Sequence, residues 1–173
     1  MTIKRYLDAL IKCCPMALHQ RTCLYVGAHP GKGCSFWDEI RRAGCRMTVV
    51  EVYEKNVRDL ECEMMDGETI IHADIRDWIP PEKYDLVMWW HGPEHTTQDE
   101  AEMVIIKLWS VTAGWLVCGA PWGNMPQDEA YGNPAEKHLW DVEPEFFRDL
   151  GMETQTFPPH NELGGQVVAW RQR

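Results

Sequence analysis

Ile3, Tyr6, Leu7, Leu10 and Ile11 recur at helical spacing after Thr2. This predicts a short amphipathic helix within 1–20, ended before Pro15. A compact apolar run at 23–26 predicts the first strand. Phe36, Trp37, Ile40 and Ala43 return to the helical period, with Gly44 at the C-terminal cap position. Met47-Thr48-Val49-Val50 predicts a second strand running to Glu51 or Val52. Val57, Leu60 and Met64 keep helical spacing, and Asp66-Gly67 turns the chain into a third strand at 69–72.

Tyr84-Asp85-Leu86-Val87-Met88-Trp89-Trp90 becomes continuously apolar after its charged entry. A central parallel strand, covered on both faces, has that pattern. Thr97 and Glu100 form a capping box, and Ala101, Val104, Ile105 and Leu108 fill one face of the helix behind it. A fifth strand at 114–121 stops at Pro121, and a loop rich in Gly, Pro and Asn spans 122–140. Pro144 suits the first turn of a helix carrying Phe146, Phe147 and Leu150 and capped by Gly151. The runs 154–157 and 166–170 read as a closing hairpin. Alternating strands and helices followed by a hairpin predict an α/β three-layer fold in a single domain over 1–173.

The chemistry starts at Leu24-Tyr25-Val26-Gly27-Ala28-His29-Pro30-Gly31-Lys32-Gly33, with Glu51 twenty residues beyond Gly31. A strand, a glycine turn, a helix and a second strand ending in a carboxylate are the wiring of a nucleoside-holding β-α-β unit. The glycines let backbone approach the ligand, and the acid accepts ribose hydroxyls. The dinucleotide fingerprint is broken, because His29 stands at its second glycine and Lys32 at its third. His29 either contacts the ligand or faces outward from the loop. His91-Gly92-Pro93-Glu94-His95 follows the fourth strand, beyond the carboxyl ends of the strands where such folds bind ligands. His91 or His95 can take a proton near neutral pH. Their i, i+4 spacing is interrupted by Gly92-Pro93, so no metal site is expected from that pair.

Composition removes several classes. The net charge is −10, and basic residues pair only at Lys4-Arg5, Arg41-Arg42 and Arg171-x-Arg173. A nucleic-acid partner is therefore disfavoured. No apolar run approaches the roughly 20 residues of a membrane span, and no signal-like segment follows Lys4-Arg5. Seven cysteines are scattered without a C-x-x-C pair, which predicts free thiols in a reduced, cytoplasmic protein.

The glycine turn resembles the first motif of class I S-adenosylmethionine-dependent methyltransferases, with Tyr25 and His29 departing from that family's usual acid and middle glycine. Asp74 lies where the family places an acid on the adenine amino group, with Asp77 three residues on as its rival. Pro93-Glu94-His95 resembles the Leu-Glu-His after the family's fourth strand, and 115–121 its apolar strand ending in proline. Asn133-Pro134-x-Glu136-x-His138 resembles the segment before its closing hairpin. The resemblance spans roughly 20–170 and implies a Rossmann-like seven-stranded sheet, order 3-2-1-4-5-7-6, with the last strand antiparallel.

It further implies S-adenosylmethionine as cofactor, contacted by Gly27, His29, Gly31, Glu51, Asp74, Ile75 and Trp90. His91 and His95 become the candidate catalytic residues, acting on a small-molecule or glycan-like acceptor chosen by the loop 122–140. With little chain ahead of the first motif, either the pocket opens to a bulky acceptor or a second subunit, as in a homodimer, completes it. Two rivals remain. One is a catalytically silent protein of this fold that binds a nucleoside or a protein partner, favoured by Tyr25 and His29. The other is a nicotinamide enzyme, disfavoured by the broken fingerprint.

Overall fold

The computed structural model describes residues 8, 10–30, 34–158 and 165–173. Its seven strands are β1 (Thr22–Val26), β2 (Arg46–Glu51), β3 (Thr69–His72), β4 (Tyr84–Trp90), β5 (Thr112–Trp122), β6 (Glu153–Phe157) and β7 (Gly165–Gln172). They form one sheet in the order β3-β2-β1-β4-β5-β7-β6. β1 to β5 pair in parallel, whereas β7 runs antiparallel to both β5 and β6. Helices α1 (Cys34–Arg42), α2 (Glu54–Glu61), α3 (Gln98–Val111) and α4 (Pro144–Asp149) cover the two faces.

Strand alternation divides the core between those faces. Cys23, Tyr25, Met47, Val49, Leu86, Met88 and Trp90 point to the side of Phe36, Trp37 and Ile40 on α1 and Leu60 on α2. Leu24, Val26, Val50, Val87, Trp89, Leu116 and Cys118 point to the side of Ala101, Val104, Ile105 and Leu108 on α3 and Phe146 and Phe147 on α4. Trp89 and Trp90 thus anchor opposite layers although adjacent in sequence.

The periodicity located the elements well and their ends less well. The Thr97–Glu100 capping box is present in both directions, and Pro144 opens α4. β5 and β7 each extend beyond the predicted runs, because their antiparallel register continues from Trp115↔Gln172 to Trp122↔Gly165. Two assignments need correction. α2 ends at Glu61, so Met64 packs against the core from the following turn rather than from the helix. Ile11 is 43% exposed and leaves the apolar face to Leu10, Cys14, Ala17 and Leu18. Of the predicted N-terminal helix, positions 1–7 and 9 lie outside the described residues, and 10–13 are helical. The turn between the hairpin runs, at 159–164, also lies outside them. The described cysteines are free thiols. Among the described residues, no helix is long and apolar enough to cross a membrane.

Gly119, in the middle of β5, leaves room for the ring of Trp90 on β4. A Cβ there would lie 2.5 Å from the indole. Gly119→Ala should therefore destabilise the fold by about 1–3 kcal/mol, the usual cost of overpacking a close-fitted core. A urea titration checks this, and an unchanged midpoint would show that the indole moves aside freely.

Candidate active site

The carboxyl ends of β1, β2, β4 and β5 open onto a cleft of about 680 Å³. At its floor, β1 gives way to the turn at Gly27. Gly27 adopts φ +73, a left-handed conformation suited to glycine, and donates its N–H to Val50 O at 2.8 Å. Beside it the Glu51 carboxylate, only 5% exposed, accepts from Ala28 N at 2.8 Å and Tyr53 N at 2.9 Å. Asn56 Nδ2 reaches both Glu51 Oε1 and Ala28 O at 3.3 Å. One side chain thus joins the turn, the tip of β2 and the start of α2. Burial pushes its pKa above the ordinary glutamate value, against the pull of these donors.

His29 enters the cleft wall. Its Nδ1 lies 2.6 Å from Pro30 O, and its ring meets Tyr131 edge-on at 4.9 Å between centroids. Tyr25 is buried and packs edge-on against Trp37, so the position resembling the family's acid is a core position here. Gly31 and Gly33 lie outside the described residues.

Asp74 and Ile75 line the next stretch of wall, while Asp77 is exposed and lines none of it. The Asp74 carboxylate is clamped by Arg76, whose Nη2 approaches to 2.6 Å and whose Nε lies 3.0 Å from both oxygens. Arg76 also reaches Glu100 at 2.9 Å. The side-chain bond to Arg76 is the main reason the Asp74 pKa falls below the ordinary aspartate value. Asp74 is therefore in place but already well supplied with donors.

The opposite wall is built where β4 ends. Trp90 packs on Phe36 with 4.8 Å between ring centroids. His91 turns out of the strand at φ +51, held by its N–H to Gly119 O at 2.8 Å. A non-glycine residue in this region carries strain, and such strain gathers at functional sites. The next residues form a short 3₁₀ turn, Pro93–His95, rather than an α-helix. That turn buries Glu94 at 1% exposure, with Oε1 at 3.2 Å from His91 Nδ1 and 3.8 Å from His95 Nε2. Burial works to raise the Glu94 pKa, but His91 and then His95 more than offset it, and the carboxyl stays below the ordinary value.

The loop between β5 and α4 closes the cleft from above. Tyr131, Asn133, Ala135, Glu136 and His138 all line it. Tyr53 Oη donates to Gly132 O at 3.0 Å, and Trp140 Nε1 donates to Pro93 O at 3.0 Å. His138 meets His95 edge-on at 5.0 Å between centroids. The structure thus brings together Gly27, His29, Glu51, Asp74, Ile75, Trp90, His91 and His95 around one cavity. Sequence reasoning assigned no role to Glu94, Asn56, Tyr131 or His138. Glu94 and His138 stood inside the quoted motifs, but nothing local signalled that they would meet.

This topology is that of the class I S-adenosylmethionine-dependent methyltransferase fold. The N-methyltransferase NodS from Bradyrhizobium japonicum WM9, in complex with S-adenosyl-L-homocysteine, superimposes with a TM-score of 0.73 at 16% identity, covering 98% of this chain and 86% of that one. Magnesium protoporphyrin IX methyltransferase (ChlM) from Synechocystis PCC 6803, with bound SAM, gives 0.64 at 16% identity, covering 99% of this chain and 77% of that one. A SAM-dependent methyltransferase from Archaeoglobus fulgidus gives 0.66 at 15% identity, covering 98% and 95%. No protein-family model and no curated protein matches the sequence.

Glu51→Ala leaves the Ala28 and Tyr53 N–H groups without an acceptor. It should cost about 1–3 kcal/mol of stability, and Glu51→Gln, which keeps one acceptor oxygen, should cost less. Chemical denaturation of the two variants checks the order; equal midpoints would mean that water replaces the carboxylate.

Proposed function

We propose that this chain is an S-adenosylmethionine-dependent methyltransferase acting on a small-molecule acceptor. The observation that carries the reading is Glu51, a buried carboxylate fixed to the Gly27–Ala28 turn at the floor of a cleft of about 680 Å³. A cavity of that size suits a ligand with much of its surface enclosed. Its residues fit the cofactor in chemistry as well as place. A carboxylate offers about four lone-pair sites, and Ala28, Tyr53 and Asn56 take three. One ribose hydroxyl occupies the fourth, and a second displaces Asn56, whose 3.3 Å contact is the longest of the set. The turn at Gly27–His29 then faces the methionyl end, and Ile75 borders the adenine. Asp74 reaches the adenine amino group only by sharing its carboxylate with Arg76.

The bound cofactor supplies an electrophilic methyl group on a sulfonium. The chain's part is to align the acceptor for in-line attack and to exclude water, which provides much of the acceleration in such displacements. The aromatic faces of Trp89 and Trp90 border the same space and favour a nearby cation. His91 and His95 line the cleft and are the candidates for taking a proton from an acceptor hydroxyl or amine, His91 with its Nδ1 3.2 Å from the Glu94 carboxylate. The loop 123–143, which carries Tyr131 and Glu136, selects the acceptor.

A second reading is a nucleoside-binding protein of this fold without transfer activity. The Arg76 clamp on Asp74 and the buried Tyr25 favour it.

Isothermal titration with S-adenosylhomocysteine tests the cofactor site. Micromolar binding is expected, weakened at least tenfold in Glu51→Gln. Affinity should also fall on acidification from a pH above the ordinary glutamate range, because protonating Glu51 removes an acceptor. That acid limb should be missing in Glu51→Gln. The absence of both heat and a thermal shift in the unmutated chain would sink the methyltransferase reading. Binding without methyl loss from S-adenosylmethionine, across hydroxyl and amine acceptors, would favour the second one.

A further inference from the structure

We propose that Glu94, His95 and His138 form a binding site for one divalent transition-metal ion of the zinc class in the cleft wall. One ligand atom from each residue lies within 4.8 Å of the others. The three come from the turn after β4 and from the far part of the loop after β5.

The argument rests on an imbalance of donors and acceptors. His95 Nδ1 lies 3.2 Å from Lys137 O, and His138 Nδ1 lies 2.5 Å from Met125 O. A carbonyl only accepts, so each Nδ1 carries the hydrogen, and in the neutral ring each Nε2 carries the lone pair. Metal-binding imidazoles are oriented in this way, with the second nitrogen donating to a backbone carbonyl. Facing them is a carboxylate 1% exposed, whose Oε2 accepts no hydrogen bond from any described residue. Its Oε1 lies 3.2 Å from His91 Nδ1 and 3.8 Å from His95 Nε2, so His91 orients the carboxylate through the oxygen nearer His95 while Oε2 stays unengaged. Two imidazole lone pairs and a buried anion thus converge with no donor among them. A proton on one ring would serve one pair; a metal ion serves all three groups.

One backbone contact joins the two halves, Leu139 N donating to Glu94 O at 2.8 Å, and His138 N donates to Gln127 O at 2.9 Å within the loop. Tetrahedral zinc, with bonds of about 2.0–2.1 Å, sets its ligand atoms about 3.4 Å apart. The three atoms, within 4.8 Å of one another, close to that spacing when the ion binds. Two nitrogens and one oxygen suit zinc or cobalt rather than magnesium or calcium, which prefer all-oxygen shells. Three protein ligands leave a fourth position open to the cleft that these residues line, for water or an oxygen of a bound ligand. None of this depends on methyl transfer.

Cobalt(II) titration of the chelator-treated full chain, followed by visible absorption, provides the test, with zinc added as competitor. One cobalt per chain is expected, with ligand-field bands that zinc abolishes. Affinity should fall at least tenfold in His138→Ala and in His95→Ala, and should persist in His72→Ala and Cys62→Ser. Melting curves in chelator confirm that the variants fold. In the unmutated chain, zinc should shift the side-chain nitrogen resonances of His95 and His138 and leave that of His72 in place. Absence of cobalt binding, binding that survives His138→Ala, dependence on Cys62, or shifts confined to other histidines would each overturn the site.

Discussion

The Glu51 carboxylate holds the amides of Ala28 and Tyr53 from a position almost closed to water. Those amides belong to the segments leaving β1 and β2, so one anion sets the distance between two crossover connections. An apolar side chain at this point would leave buried donors unsatisfied, a cost comparable to that of a whole hydrogen bond. Desolvation acts against the charged form, and the donors keep that opposition from displacing it. In the proposed function, ligand recognition at this floor is built on a group that the fold already needs.

A second buried carboxylate, Glu94, sits at the other side of the cleft under a different regime. Its main partners are imidazoles, and they do most to keep its pKa below the ordinary value despite complete burial. Between the two lie Trp89 and Trp90, each rooted in a separate core layer. The cleft therefore combines a rigid polar floor, aromatic walls and a histidine-rich rim. Asp74 stands apart, because Arg76 has already engaged its charge.

The loop after β5 supplies what the sheet cannot. Tyr131 meets His29, Gly132 receives Tyr53, and Trp140 anchors to Pro93, so the loop is fastened at several points across the opening. His138 reaches His95 only because of these fastenings. Fastened in this way, the loop holds its side chains against the cleft.

The alternation of apolar periods determined the order of strands and helices, because burial on one or both faces writes itself into neighbouring residues. The capping box at Thr97, the turn at Gly27 and the carboxylate at Glu51 were legible for the same reason: each needs a particular residue at a fixed local offset. The sheet order came from a resemblance rather than from periodicity. Partnerships across the cleft were not legible. Nothing near Asp74 announced that Arg76 would claim its carboxylate, and nothing near Glu94 announced that His138 would meet it. Those contacts are set by how the chain returns on itself, where one rotation of a loop decides which side chains converge. Local sequence records a residue's own surroundings along the chain, and only the packed structure decides which distant charge or lone pair it faces.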